Sequence, residues 1–311
     1  MVLALTTLVL TVPRLLDTDT AYGVFLAALA PFGVVTALLT LAATAPLVRR
    51  AGYAGNAAQA ICLAAGAMLA LHLAWLAPLY IGQRAQGVGT GRIVLMTQNF
   101  ETGNAAALER TVRAQVVDIL VICDTGSSQR AAATRLADRA GLRYQVTDGG
   151  SAVFSRFPIV ETTRISAGGS SRTVLVRDTP IGDLTVYALH PTPGYNASKW
   201  GADYRQINAV IGAAPARNSI IAGDLNATAD NAPLRRLISN GYADAATQVR
   251  SGLQFTWPAD NRSVAGLRVP PVFTLDHVLT SKDLAVTQLR TISLAGADHR
   301  GLVTTIGRRN P

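Results

Sequence analysis

The sequence predicts an α/β fold in which two packed sheets carry helices on their outer faces, preceded by an N-terminal transmembrane helical segment. Three observations lead there. Uncharged stretches of spanning length crowd into residues 1–82; from residue 92 onward short strands outnumber helices; and some of those strands are continuously apolar while others alternate. Continuous runs mark strands buried on both faces, alternating runs strands buried on one. Two sheets packed together leave outer faces for helices to cover.

The 311 residues suffice for two domains, or for one large domain with an appendage. Only 15% are Asp, Glu, Lys or Arg, and mean hydropathy is positive. Part of the chain therefore does not face water. Residues 1–12 are apolar, Pro13-Arg14 and residues 17–20 interrupt, and 21–48 run for 28 residues without a charge. Arg49-Arg50 and a turn follow, and 57–82 are again uncharged. A spanning helix needs about 20 apolar residues, so the two longer stretches qualify. The first is short, and is a third span if it tilts or extends through Leu15-Leu16. A secretory signal over 1–20 is the alternative, but a basic start and a small-residue cleavage site are weak or missing. Buried helices of a water-soluble core are the other alternative, and uncharged stretches this long are rare there. Ala and Gly are frequent in both long stretches, which suits close helix contact in lipid. His72, inside the last stretch, is expected to be packed or hydrogen-bonded.

Arg49-Arg50 has no acidic neighbour, whereas the loop before the second stretch sets Arg14 against Asp17 and Asp19. The positive-inside rule puts Arg49-Arg50 in the cytoplasm and the rest of the chain, one span later, outside. Cys62 lies in the third stretch and Cys123 in a predicted strand, so the pair is not expected to form a disulfide. From Arg92 onward 22 Arg and 2 Lys face 17 acidic residues, giving +7 of the chain's +9. That balance favours anionic partners: phospholipid headgroups, polyanions or phosphorylated substrates. The arginines are scattered, and no basic run interleaved with aromatics marks a nucleic-acid surface.

Residues 83–91, in the run GQRAQGVGTG that starts at Gly82, predict a flexible linker, between an anchor over 1–82 and a domain over 92–311. Ile93-Val94-Leu95-Met96 is a strand closed by Thr97-Gln98-Asn99. Asn104 caps a helix to about Gln115, with Leu108, Val112 and Val116 on one face. Residues 118–123 repeat the strand pattern and close with Asp124-Thr125-Gly126; Ser128 starts another helix. Strands follow at 144–146, 151–155, 159–165, 173–177 and 184–189, the last ending in His190. A helix over about 197–211 precedes the strand Ile220-Ile221-Ala222-Gly223-Asp224, and later strands fall at 273–279, 286–292 and 302–306.

The chemistry lies at strand ends. Polar residues closing an apolar strand are Asn99, Asp124, His190 and Asp224 with Asn226; Asp276 stands within a strand, and Asp298-His299 precede the last one. Each alone is more often a turn or cap residue. Together they expect a single cluster at one sheet edge, and they hold two of the three histidines beyond residue 92.

The order Thr97-Gln98-Asn99, residues 118–124, residues 150–159, His190, Gly223-Asp224-Leu225-Asn226-Ala227-Thr228, Leu275-Asp276-His277-Val278 and Ala297-Asp298-His299-Arg300 resembles the endonuclease/exonuclease/phosphatase family over residues 92–307. The resemblance implies a four-layer α/β sandwich of two mixed sheets and hydrolysis of a phosphate ester with Mg²⁺, or alternatively Mn²⁺. It implies that Asn99, Asp124 and Asp298 serve the metal, Asn99 by binding or by orienting. Asp224 and Asn226 would hold the attacking water and the phosphoryl oxygens. His299, oriented by Asp276, and His190 would flank the phosphate, so that His190 and Asn226 also bind substrate. Asp124 stands where the family has Glu, one methylene longer.

The chemistry supports the same assignment. A phosphoryl transition state gains charge on its oxygens, which a hard cation and opposed hydrogen-bond donors stabilise. Asp and Asn oxygens suit Mg²⁺, which keeps several waters. An Asp beside a His fixes its tautomer and favours imidazolium. Neighbouring strand residues face opposite ways, so only one of Asp276 and His277 enters the cleft; the resemblance gives that place to Asp276 and leaves His277 to the core. The loop 191–200, with Tyr195, Lys199 and Trp200, follows His190 and either shapes the pocket or simply packs.

The function expected is a membrane-anchored metal-dependent phosphoesterase hydrolysing a phosphodiester, either a lipid headgroup or a similar anionic substrate. A nuclease acting on DNA or RNA is one alternative, and a non-catalytic membrane sensor of a phosphorylated ligand is another. A pseudoenzyme follows if the shorter Asp124 fails.

Overall fold

The computed structural model describes every residue except 1, 19, 51, 83–86, 148, 166–169, 261–262, 265–266 and 311. Four helices open the chain: α1 (Val2–Leu16), α2 (Ala21–Ala28), α3 (Gly33–Thr44) and α4 (Tyr53–Leu76). The segments Ala30–Leu47 and Tyr53–Leu79 are long and apolar enough to cross a membrane, by length and composition. The 15 residues of α1 rise roughly 22 Å, short of the roughly 30 Å hydrocarbon core.

Residues 21–48 do not form the single helix their composition predicts. A 3-10 turn at Ala30–Phe32 divides them, because Pro31 has no N–H to give an α-helical ladder and its ring crowds the preceding turn. The break releases α2 from the line of α3 and sets it against the rest of the chain. His72 is buried, with Nε2 3.0 Å from Thr11 Oγ1 and the ring edge-on to Trp75. Arg14 pairs with Asp230 and lies 4.2 Å over the Trp75 ring, while Arg235 pairs with Asp17. Phe32 stacks on Phe255 with centroids 6.1 Å apart.

The remaining elements are β1 (Val88–Asn99), α5 (Ala105–Ala114), β2 (Ile119–Cys123), α6 (Ser127–Arg139), β3 (Tyr144–Val146), β4 (Ala152–Ser155), β5 (Ile159–Arg164), β6 (Arg172–Val176), β7 (Leu184–Leu189), α7 (Ala197–Gly212), β8 (Ser219–Asp224), α8 (Ala232–Ser239), β9 (Tyr242–Asp244), α9 (Ala245–Val249), a small hairpin of β10 (Ser263–Val264) and β11 (Leu267–Arg268), β12 (Asp276–Ser281), β13 (Leu284–Ile292) and β14 (Gly301–Arg309). One sheet has the order β13-β14-β1-β2-β4-β3 and the other β5-β6-β7-β8-β12-β9. Both are mixed, with one parallel pair each, β1 with β2 and β7 with β8.

Strand parity builds the layers. Ile93, Leu95, Val121, Val186, Ile220 and Val278 meet between the sheets. Their strand neighbours point outward: Met96, Leu120 and Ile122 pack on Leu108, Val112 and Leu136 of α5 and α6. On the other side Leu189, Ile221 and Leu279 pack on Trp200, Tyr204 and Ile207 of α7 and Leu234 and Leu237 of α8. Helices, sheet, sheet, helices is the four-layer sandwich expected.

Three local readings change. β1 begins at Val88, opposite Arg309, so 88–91 of the expected linker belong to the sheet; 83–86 lie outside the described residues. Val116 leaves the helix face, because α5 ends at Ala114 and Val116 turns outward at φ 49°. Val117, its N–H on Val112 O at 3.0 Å, takes the buried place. The strand expected over 273–279 is shifted to Asp276–Ser281, because Phe273 bridges back to Trp257 instead.

Gly223 allows β7 and β8 to close on one another. Its φ is 147°, and a Cβ there would collide with the Leu189 carbonyl oxygen on the paired strand. Gly223→Ala is expected to lower stability by at least about 2 kcal/mol and to displace the neighbouring Asp224. A thermal melt of the variant that overlays the parent's contradicts this.

Candidate active site

Asp224 ends β8 and lies directly opposite Asp276 on β12, so both carboxylates point to the same face of the sheet. Two hydrogen bonds hold Asp224. Its Oδ1 accepts the Asn226 N–H at 2.9 Å, and its Oδ2 accepts the Asn99 amide at 3.0 Å from the other sheet. The same Oδ2 lies 3.9 Å from His190 Nε2 and 3.8 Å from His299 Nε2. The carboxylate thus stands between two imidazoles.

Helix α7 braces the turn that delivers it. Tyr204 donates to Leu225 O at 2.6 Å, and Trp200 Nε1 to Asn226 O at 3.0 Å. Asn226 sits at φ 45°, which Asn tolerates better than most residues, and its amide donates to Pro191 O at 3.0 Å. Asp203 accepts both the N–H and the hydroxyl of Thr192 at 2.8 Å. The loops carrying His190 and Asn226 are therefore fixed to one helix.

His299 Nδ1 lies 2.8 Å from Asp276 Oδ2. Burial disfavours the charged ring, but the Asp276 and Asp224 carboxylates outweigh it and raise the His299 pKa to about 10. The ring is an imidazolium at neutral pH. Asp124 follows β2 at φ 56°, with Oδ2 4.0 Å from His190 Nε2 and its side chain 45% exposed. Asp298 Oδ1 accepts from the Thr102 hydroxyl at 3.2 Å, and Asn99 Oδ1 accepts the Glu101 N–H at 3.1 Å.

A cleft of about 750 Å³ is lined by Asn99, Asp124, His190, Asp224, Asn226, Asp298 and His299. Asp276 lies behind His299, fully buried. These residues come from the ends of both sheets rather than from one sheet edge: Asn99, Asp124, Asp298 and His299 flank strands of the first, the others strands of the second. His277 faces away, as parity predicts. Its Nδ1 is 2.9 Å from Asp244, and its Nε2 is 3.1 Å from Ala227 O and 3.0 Å from Thr274 O. Acceptors on both nitrogens require a doubly protonated ring; burial opposes that charge, and the Asp244 contact prevails to raise the pKa. In the loop 191–200, Tyr195 lines the cleft and Trp200 is buried, while Lys199 is not among the lining residues.

Sequence reasoning missed two sets of cleft residues. Glu101 lines it beside Asp124 and Asp298; its place two residues past Asn99 was the available signal. Ala21, Tyr22, Val24, Phe25 and Ala28 of α2 line it from the other side, with Trp257, Phe273 and Leu275. For the α2 residues Pro31 was the available signal; Phe273 and Leu275 stood in the expected strand 273–279 with no role assigned.

Carboxylate, amide and imidazole groups converge here at the open ends of two sandwiched sheets. The sequence profile of the Endonuclease/Exonuclease/phosphatase family matches residues 96–299, and the chain belongs to that family. Solved structures share the fold. An endonuclease/exonuclease/phosphatase from Beutenbergia cavernae is 20% identical with a TM-score of 0.55, covering 71% of this chain and 72% of its own. D. rerio TDP2 complexed with single strand DNA product is 17% identical with a TM-score of 0.52, covering 70% and 99%. Truncated Caenorhabditis elegans TDP2 is 16% identical with a TM-score of 0.51, covering 70% and 97%. No curated protein matches the chain.

Proposed function

We propose that this chain is a membrane-anchored, metal-dependent phosphoesterase that hydrolyses a phosphodiester, in a lipid headgroup or a similar anionic group. The observation that carries the proposal is Asp224 Oδ2 standing 3.9 and 3.8 Å from two imidazole nitrogens, one of them on a ring already charged. A phosphoryl group entering there meets a proton acceptor and two flanking donors.

Asp124, Asp298 and Glu101 all line the cleft and would supply oxygen donors to a hard divalent cation, Mg²⁺ or Mn²⁺. The donors are all oxygen, and the 45% exposure of Asp124 leaves room for the waters such an ion retains. Asn99 orients Asp224 and keeps a second carbonyl lone pair beside the rim. When bound, the ion would polarise a phosphoryl oxygen and offset the charge that builds on it. The chain's own groups do the rest. Asp224 Oδ2 orients the attacking water and accepts its proton, with Asn226 holding that carboxylate through its N–H. His299 Nε2 donates to a non-bridging oxygen, its ring fixed by Asp276. His190 Nε2 donates from the other flank, to the oxygen that leaves.

In the same proposal residues 1–82 anchor the domain 92–311. Arg49-Arg50 are separated from the domain by α4, roughly 36 Å of helix, which supports a cytoplasmic loop and an extracytoplasmic active site.

The test is a substrate panel with the full chain in detergent: DNA, RNA, phospholipid and small phosphate esters, each with Mg²⁺ and with chelator. We expect Mg²⁺-dependent turnover of a phosphodiester, abolished by chelator and recovered on adding Mg²⁺ or Mn²⁺. Asp124→Ala is expected to weaken Mg²⁺ binding about tenfold or more by calorimetry. Ligand binding without turnover of any ester supports a sensor instead, and cleavage confined to DNA or RNA supports a nuclease.

A further inference from the structure

The N-terminal segment is more than a tether. Val24 of α2 is buried in the same cluster as Leu189, Trp200, Ile221 and Leu225, which carry and brace the catalytic loops. Asn231 donates to Val24 O at 2.9 Å. Gly194, in the loop after His190, leaves no room against Val24: a Cβ there would lie 2.8 Å from Val24 Cγ1. The helix is built into the wall of the cleft.

That wall is apolar and leads away from the polar site. Phe25 lies 5.7 Å from Phe273, Phe273 lies 5.9 Å from Trp257, and Trp257 lies 6.4 Å from His299, ring centre to ring centre. An aromatic path therefore runs from the phosphate position to α2. At its outer end Tyr22 is 84% exposed and Phe25 54%, and Tyr195 across the cleft is 83% exposed. Exposed aromatics around a charged pocket are costly in water; beside a segment long enough to span, they would occupy the interfacial layer that Tyr favours. Two residues after Ala28, Ala30–Leu47 begins, the first segment apolar enough to span. The path is continuous with the surface that would face lipid.

We propose that α2 forms the hydrocarbon side of the substrate site, and that the substrate is an amphiphilic phosphoester drawn from the membrane that holds the helices. Its phosphate lies among His190, Asp224 and His299, and its apolar portion along Trp257, Phe273, Phe25 and Tyr22. The proposal rests on the phosphoesterase reading and deepens it. A hydrophilic diester engages only the polar end of this cleft.

The full chain is reconstituted with Mg²⁺ and given two substrates: vesicles of phosphatidylglycerol and phosphatidylethanolamine, and soluble bis(p-nitrophenyl) phosphate. Tyr22→Ser and Phe25→Ser are compared with the parent. Tyr22 is almost fully exposed, so its loss does not unfold the chain. We expect the ratio of vesicle to soluble turnover to fall at least about tenfold in each variant, the effect of losing one buried aromatic contact. A ratio unchanged within twofold overturns the proposal. So does a parent that hydrolyses the soluble diester and leaves both phospholipids intact, with the phosphoesterase reading still standing. A parent that cleaves neither substrate overturns that reading, and the proposal with it.

Discussion

Replacing Asp224 with Ala is expected to reduce phosphodiester turnover by about 10³- to 10⁴-fold, roughly 4–5 kcal/mol of transition-state stabilisation, with the fold intact. The size follows from position. Asp224 Oδ2 lies close to both His190 and His299, and it also accepts the amide of Asn99. Its removal takes away the proton acceptor, frees Asn99, and deletes one of the charges that keep His299 protonated. The last effect gives a second readout: the His299 pKa falls in the variant, measured by proton NMR on the metal-free chain. Turnover within tenfold of the parent contradicts the assignment.

Asp276→Asn is expected to cost about 10²- to 10³-fold in turnover and to move the alkaline limb of the pH–rate profile downward. Asp276 lies behind His299 and holds its Nδ1, so its action is positioning and electrostatic. In the parent the folded His299 pKa is about 10, above the roughly 6.5 of an unfolded chain. The sign is therefore fixed: its stabilising contribution is fully present below about pH 6.5 and is lost as pH rises through the folded value. With Asn at 276 the ring loses its nearest charge, so both the loss of stability and the loss of a protonated donor occur at lower pH. His299→Ala removes the donor itself and is expected to flatten that limb. An Asp276→Asn profile superimposable on the parent's contradicts the coupling.

The layered core was legible in the sequence because strand parity is a local signal. Continuous apolar runs such as Ile119-Leu120-Val121-Ile122 pack on both faces, and their polar closing residues reach one cleft. Asn104 capped α5 as expected, its Oδ1 accepting the Ala107 N–H at 3.0 Å. What the sequence concealed depends on contacts between distant segments. Composition cannot distinguish a helix that spans from one that bends at Pro31 and docks on a loop 170 residues away, where Val24 meets Gly194. Short elements such as β9 and α9 have too few residues for a period to emerge. Glu101 was overlooked because it lies past the end of β1, where alternation no longer assigns a face.

Oxygen-18 incorporation shows whether water attacks phosphorus under Asp224. The full chain hydrolyses its best phosphodiester in ¹⁸O-labelled water with Mg²⁺, and the products are weighed by mass spectrometry. Water attack at phosphorus, with the Asp224 carboxylate taking its proton, predicts one label in the phosphate-bearing product, none in the alcohol, and no products with chelator present. Label in the alcohol, or labelled product formed within tenfold of the parent rate by the Asp224→Ala chain, contradicts water attack assisted by Asp224.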